Sequence, residues 1–273
     1  MGLDIFSALM DSYDRKARLN PVLLAIIPPV GVLVGLYAVR LQAQTALVGL
    51  LATFGIFYLL TSICRNLGKR LENSLYKSWG GKPTTQLLRH RDNTIDPITK
   101  KRYHTFLSQK IKTKFPTEDQ ELKKQNMADN VYSSAIEWLL GQTRDKKKFN
   151  LLFLENISYG FSRNCLGIKY IAISIALLSI AWAVIGYKTI STRNFSDIDF
   201  NLLPIGLLIS LVTSISMLSV WTLFITKKCV KKSAFVYAEA LLKTCDMLAQ
   251  QETLMTVTAK ASHTAPSDFS IDK

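Results

Sequence analysis

The chain has 273 residues, a formal net charge of +14, 48% hydrophobic residues and a mean hydropathy of +0.16. So much apolar content beside so basic a balance excludes an ordinary soluble domain and points to long uncharged apolar runs plus a separate charged segment. The four cysteines, Cys64, Cys165, Cys229 and Cys245, show no CxxC spacing, which sets aside the common zinc and redox motifs and a disulfide framework.

The first apolar run is Pro21 to Val39, preceded by Arg15, Lys16 and Arg18. A hydrocarbon core of ~30 Å needs about 20 apolar residues as an α-helix, and in lipid only a helix satisfies every backbone amide within such a run. The run is longer than the apolar part of a signal peptide and no A-x-A site follows, so it reads as a spanning helix. Pro28-Pro29 removes two backbone donors and predicts a kink. Gly31 and Gly35 make a GxxxG, which lets helices approach closely, between subunits or within one. A second run, Thr45 to Cys64, starts after only Arg40 to Gln44, so 21–64 is expected to form a tight transmembrane hairpin preceded by a cytoplasmic N-terminus at 1–20.

Residues 65–166 read as a basic helical domain. Arg65 to Trp79 extends the second span, and Gly80-Gly81 ends it. Asp96-Pro97 looks like an N-cap with proline at the first helical position, opening a helix to about Lys114. Thr117 with Gln120 makes a capping box. Further helices are expected over about Ala128 to Arg144 and Lys148 to Arg163, the last feeding the third span. The segment Arg65 to Leu166 holds 20 Lys/Arg against 10 Asp/Glu, a surplus of 10. One cluster comprises Arg89, Arg91, Lys100, Lys101, Arg102, Lys110, Lys112 and Lys114, interleaved with His90, Tyr103, His104 and Phe106. A second includes Arg144 and Lys147. Cations among aromatics suit phosphate and single-stranded nucleic acid. An anionic lipid surface or an acidic protein partner would suit the same charge.

The third run, about Tyr170 to Tyr187, and the fourth, about Leu202 to Thr226, form a second hairpin over 167–226. None of the four runs contains Asp, Glu, Lys or Arg, which argues against an ion pump or proton relay. Gly206, Ser210 and Ser214 repeat small-xxx-small spacing in the fourth run. Its hydroxyls spread around the helix, and either a water-lined pore or bonding to helix backbone accounts for them. Lys227, Lys228, Lys231 and Lys232 follow, whereas the opposite side carries only Arg40, Lys188 and Arg193. The positive-inside rule then places both termini and the basic domain in the cytoplasm of a bacterial inner membrane. Residues 227–262 read as an amphipathic helix packing on the inserted domain or a neighbouring subunit, and 263–273 as a disordered tail. The predicted class is an all-α membrane protein with four transmembrane helices and a helical cytoplasmic domain inserted between the second and third.

Catalytic constellations are missing from the sequence: no HExxH, no GxSxG and no GxxxxGK[ST] occurs. His90 with Asp92 and Asp96 reads as caps and surface charge rather than a metal site, and the Trp79 to Thr85 turn as a helix end rather than a phosphate cradle. No enzyme activity, metal or cofactor is expected.

In its layout of spans and basic cytoplasmic module the chain resembles bacterial anti-phage membrane effectors of the nucleotide- or oligonucleotide-gated channel type, such as the channel component of Hailong defence systems. The resemblance lies in topology and charge. It implies an oligomeric inner-membrane channel or membrane-disrupting effector gated by a polyanionic ligand, a nucleotide or short nucleic acid. Arg89, Arg91, Lys100, Lys101, Arg102, Lys110, Arg144 and Lys147 would then hold phosphates, and Gly31, Gly35, Gly206, Ser210 and Ser214 would pack the pore bundle. The implied partners are the lipid bilayer, further copies of the chain, and a soluble protein from an adjacent gene. The competing expectation is a non-conducting anchor or sensor that recruits a soluble effector.

Overall fold

A computed structural model describes residues 11–37, 43–192 and 203–263, and among them every regular element is a helix. In chain order these are α1 (Asp14–Tyr37), α2 (Ala43–Trp79), α3 (Pro83–Leu88), α4 (Pro97–Ile111), α5 (Glu118–Lys123), α6 (Gln125–Gln142), α7 (Asn150–Thr192), α8 (Leu203–Ser219, running into a π-helical turn Val220–Phe224) and α9 (Lys227–His263). The chain divides into two compact units. One contains the residues before Trp79 with Leu154–Ala234, and the other Trp79–Phe153 with the residues from Phe235 on. The inserted domain is thus tighter than the expected 65–166.

Three helices of the first unit are long and apolar enough to cross a membrane: Asp14–Tyr37, Asn150–Ile190 and Pro204–Phe224. The expected second span, Thr45 to Cys64, falls in the first half of α2, where the side chains of 45–58 lie outside the described residues. The predicted turn at 40–44 lies largely outside them, as do most of the 188–200 loop, the first ten residues and the tail from 264. Helix α1 begins at Asp14, earlier than expected, because Arg18 pairs with Asp14 one turn back at 2.5 Å. It stays helical through Pro28 and Pro29. Helix α7 joins the expected domain helix and third span into 43 residues.

Close approach organises this unit. A Cβ on Gly35 would stand 2.5 Å from the Ser210 hydroxyl, and one on Gly206 would collide with the Gly35 carbonyl. Gly31 meets Thr213 in the same way. The small residues of α1 and α8 are therefore spent on each other within one chain. A second crossing joins α2 and α7, where a Cβ on Gly167 would lie 2.7 Å from the Gly68 nitrogen. The hydroxyls of α8 mostly bond back along their own helix: Ser210 to Gly206 O (2.7 Å), Thr213 to Ile209 O (2.9 Å), Ser219 to Ile215 O (2.9 Å) and Thr222 to Leu218 O (2.8 Å). Leu208, Val212, Ile215 and Leu223 stay exposed, as side chains facing lipid would.

The second unit is built by caps and one apolar core. Gly80 and Gly81 take φ of 84° and 134°, stopping α2. Helix α3, which the sequence pattern did not suggest, starts at Pro83. The Asp96 carboxylate accepts from Thr99 N at 2.9 Å, and Thr117 and Gln120 complete the capping box, as expected. Helix α4 ends at Ile111, short of Lys114, because Lys112 adopts the left-handed φ of 52° ahead of Phe115-Pro116. Leu87, Leu88, Leu107, Tyr132 and Leu139 are fully buried, joined by Ala238, Leu241, Leu242 and Cys245 of α9. The tail helix is part of this core.

Gly206→Ala is expected to lower the thermal unfolding midpoint in detergent, at an overpacking cost of about 1–3 kcal/mol. Gly141→Ala, where an added Cβ meets nothing within 4 Å, should raise it by up to about 1 kcal/mol of helix propensity.

Candidate anion-binding site

Buried cations need acceptors, and this sorts the basic residues of the second unit. Arg89 is 7% exposed and grips Asp129 with two bonds, Nε to Oδ1 at 2.9 Å and Nη2 to Oδ2 at 2.7 Å. Its guanidinium lies over Gly81, where a Cβ would approach Nη2 to 2.7 Å, so the glycine turn houses an arginine rather than a phosphate. Lys100 is 6% exposed, and its ammonium donates to the carbonyls of Arg89 (2.8 Å) and Asp92. Burial pushes the Lys100 pKa down, with Asp92 and Glu121 opposing. Arg102 holds Asp246 of α9 at 2.7 and 3.0 Å, and Lys110 bonds Glu252 of the same helix. Four of the eight expected phosphate-holding cations thus tie the domain together.

The other four, Arg91, Lys101, Arg144 and Lys147, are exposed on three separate elements: the loop after α3, α4, and the α6–α7 turn. Their neighbours Lys146 and Lys148 cover Phe153 and Phe149 at 5.1 and 5.4 Å from the ring centroids. His90, Asp92 and Asp96 are each engaged. His90 Nε2 bonds the Pro116 carbonyl at 3.0 Å, Asp92 accepts from Thr94 N, and Asp96 caps α4. Among the described residues no cluster of three or more His, Cys, Asp or Glu is placed to hold a metal.

Three other lysines converge. Lys114, Lys123 and Lys124 line a cavity of about 390 Å³ together with Pro116, Gln120, Met127, Ala128 and Val131. No lining residue is acidic. None of the three lysines meets a carboxylate among the described residues, and all are exposed. The capping box sets this geometry by starting α5 at Glu118, and Lys124 then turns the chain into α6 with φ −139°. Lys124 stands at the N-cap of α6 without a side-chain cap, and the first turn of α6 carries no acidic residue. The positive helix end is therefore unopposed. The signal for Lys123 and Lys124 in the sequence is a Lys-Lys doublet just before an apolar periodic segment, outside the strongly basic stretch 89–114.

Behind the cavity lies a buried polar cluster. The Glu121 carboxylate accepts from His90 N (2.9 Å) and the Tyr132 hydroxyl (2.7 Å). His104 bonds the Leu88 carbonyl at 2.7 Å and packs against His90, Phe115 and Tyr132 with ring centroids 5.0, 5.0 and 5.7 Å away. Burial pushes the His104 pKa down to about 4, with His90 and Lys100 reinforcing the shift.

In the first unit, Glu72 gathers three donors: Arg163 Nη1 (2.9 Å), Tyr159 Oη (2.7 Å) and Tyr76 Oη (2.9 Å). Burial raises the Glu72 pKa, but Arg163 and the two phenols outweigh it and hold the group below its ordinary value. Asn164, fully buried, donates to the Ala17 carbonyl at 2.7 Å. Lys169 caps the carbonyls of Thr222 (3.1 Å) and Ile225 (2.7 Å) at the end of α8. Of the expected packing residues, Gly31, Gly35, Gly206 and Ser210 meet at the α1–α8 crossing, and Ser214 is buried on α8. All four cysteines are free thiols. No family model matches the chain, and no curated protein or solved structure is significantly similar to it.

A histidine with a lowered folded pKa favours folding when neutral. Its stabilisation is full above its ordinary 6.5 and is lost as the pH falls toward and through 4. The shift corresponds to about 3 kcal/mol. The unfolding midpoint in detergent should fall between pH 6.5 and 4, and His104→Gln, which keeps a donor for Leu88 O, should flatten that fall.

Proposed function

We propose that this chain is an oligomeric inner-membrane channel or membrane-disrupting effector, with four spans and cytoplasmic termini, whose state is set by a phosphate-bearing anion held at its basic cytoplasmic unit. The observation that carries this reading is the cavity lined by Lys114, Lys123 and Lys124, three exposed lysines with no carboxylate partner among the described residues, in a unit whose buried cations Arg89 and Lys100 are paired. Its size lies in the range of small-molecule sites. Three helices apolar enough to cross a bilayer, with no charged residue in their apolar runs, support a membrane action rather than transport by charge relay. All three passages of the chain between the units lie within helices: Ser78–Trp79 at the end of α2, Phe153–Leu154 in α7 and Ala234–Phe235 in α9. Helices transmit displacement better than loops do.

The test is membrane potential, followed with a voltage-sensitive dye in bacteria that express the chain. The wild type is expected to depolarise the cells. Lys123→Glu with Lys124→Glu should shift the expression level at which this begins by about tenfold or more, since each lysine near an anion contributes ~1 kcal/mol. Arg91→Glu, away from the cavity, should not. Cells that keep full potential at every expression level end the reading.

A further inference from the structure

We infer that the lysine-lined cavity between α5 and α6 binds the phosphate headgroup of an anionic phospholipid, so that this elbow docks on the inner leaflet. This rests on the reading of Lys114, Lys123 and Lys124 as an anion site and names the ligand class. The lining decides it. Besides the three lysines and Gln120 the lining is apolar: Pro116, Met127, Ala128 and Val131. No aromatic ring lines the cavity to stack a base. The one neutral polar side chain, Gln120, has its carbonyl oxygen committed to Thr117 N at 3.1 Å in the capping box, which leaves little to read a base edge. Lysine ammoniums are point charges without the fork that makes bidentate contacts, a fit for diffuse attraction to headgroup phosphates.

Exposed apolar side chains point the same way: Met127 of the lining is 61% exposed, and Leu122, the residue before Lys123 in the chain, is 60% exposed. Apolar residues ringed by lysine are costly in water and suited to the headgroup–acyl boundary, where both parts are satisfied at once. The same chain carries helices that can cross a bilayer, so the leaflet is at high effective concentration for this elbow.

The test uses the full chain in nanodiscs, reading hydrogen–deuterium exchange of peptides covering 117–131. Discs of phosphatidylcholine are compared with discs containing one third phosphatidylglycerol. Exchange is expected to slow by about tenfold in the anionic discs. The slowing should vanish in Lys123→Gln with Lys124→Gln and weaken in Leu122→Gln with Met127→Gln. The side chains of both pairs are exposed, so these variants should fold, and unchanged exchange in the core peptides of α4 and α6 checks that. A third arm adds a short oligodeoxynucleotide, or inorganic phosphate, to phosphatidylcholine discs. Protection there, with none from phosphatidylglycerol, overturns the lipid inference and leaves the soluble-ligand reading standing. No protection in any arm overturns both.

Discussion

A cation removed from water must meet acceptors, and that constraint shapes the second unit. Arg89 and Lys100 are buried only because Asp129 and two loop carbonyls receive them. The two sites are linked, since the Arg89 carbonyl that accepts from Lys100 belongs to the residue whose side chain grips Asp129. Removing any member leaves a charge stranded in low dielectric, which costs far more than the pair contributes. Glu121 completes the set from the opposite sign, its carboxylate held by a backbone amide and a phenol. Outside these obligations, Lys114, Lys123 and Lys124 have no carboxylate partner among the described residues and line a concave surface.

The first unit answers the corresponding constraint for hydroxyl groups. The α8 hydroxyls turn back to carbonyls one turn earlier, so their abundance needs no aqueous pore. The glycines of α1 and α8 use their missing side chains to bring two backbones together, which leaves the leucine and isoleucine faces outward. At the C-terminal end of α8 Lys169 bonds carbonyls released by its π-helical turn, placing a cation at the negative end of a helix. Glu72 is likewise admitted below the apolar run of α2 because Arg163 and two tyrosines surround it.

Local signals were legible in the sequence and distant pairings were not. The Asp96 cap, the Thr117–Gln120 box and the Gly80-Gly81 stop depend on neighbours within a few positions, and they occur where the pattern put them. The pairing of Arg89 with Asp129 spans 40 residues and that of Arg102 with Asp246 spans 144. Nothing in a single sequence marks such partners, so the basic run does not reveal which of its members meet carboxylates and carbonyls of the same chain. The short helix α3 was missed because Pro83 to Leu88 is too brief to show a period. The α1–α8 contact is a case where spacing identified the residues, Gly31, Gly35, Gly206 and Ser210, but left open whether they face each other or another chain.

The placement of α9 carries a consequence for assembly. Ala238, Leu241, Leu242 and Cys245 are fully or almost fully buried in a core whose other members lie between Leu87 and Leu152. More than eighty residues, including the expected third and fourth spans, are synthesised between the two parts. Until the chain reaches Cys245 the inserted segment exposes the apolar surface of Leu107, Tyr132 and Leu139 that α9 helps to cover. Its caps and the Arg89–Asp129 pair need nothing from α9 and can form first, whereas the core closes only after residues 154–234 of the first unit have been made. Arg102 and Lys110, both on α4, then lock onto Asp246 and Glu252 and fix the register of the incoming helix. Discontinuity in sequence thus makes a finished second unit conditional on synthesis of the first, so a chain that stops before Ala238 leaves this unit without part of its core.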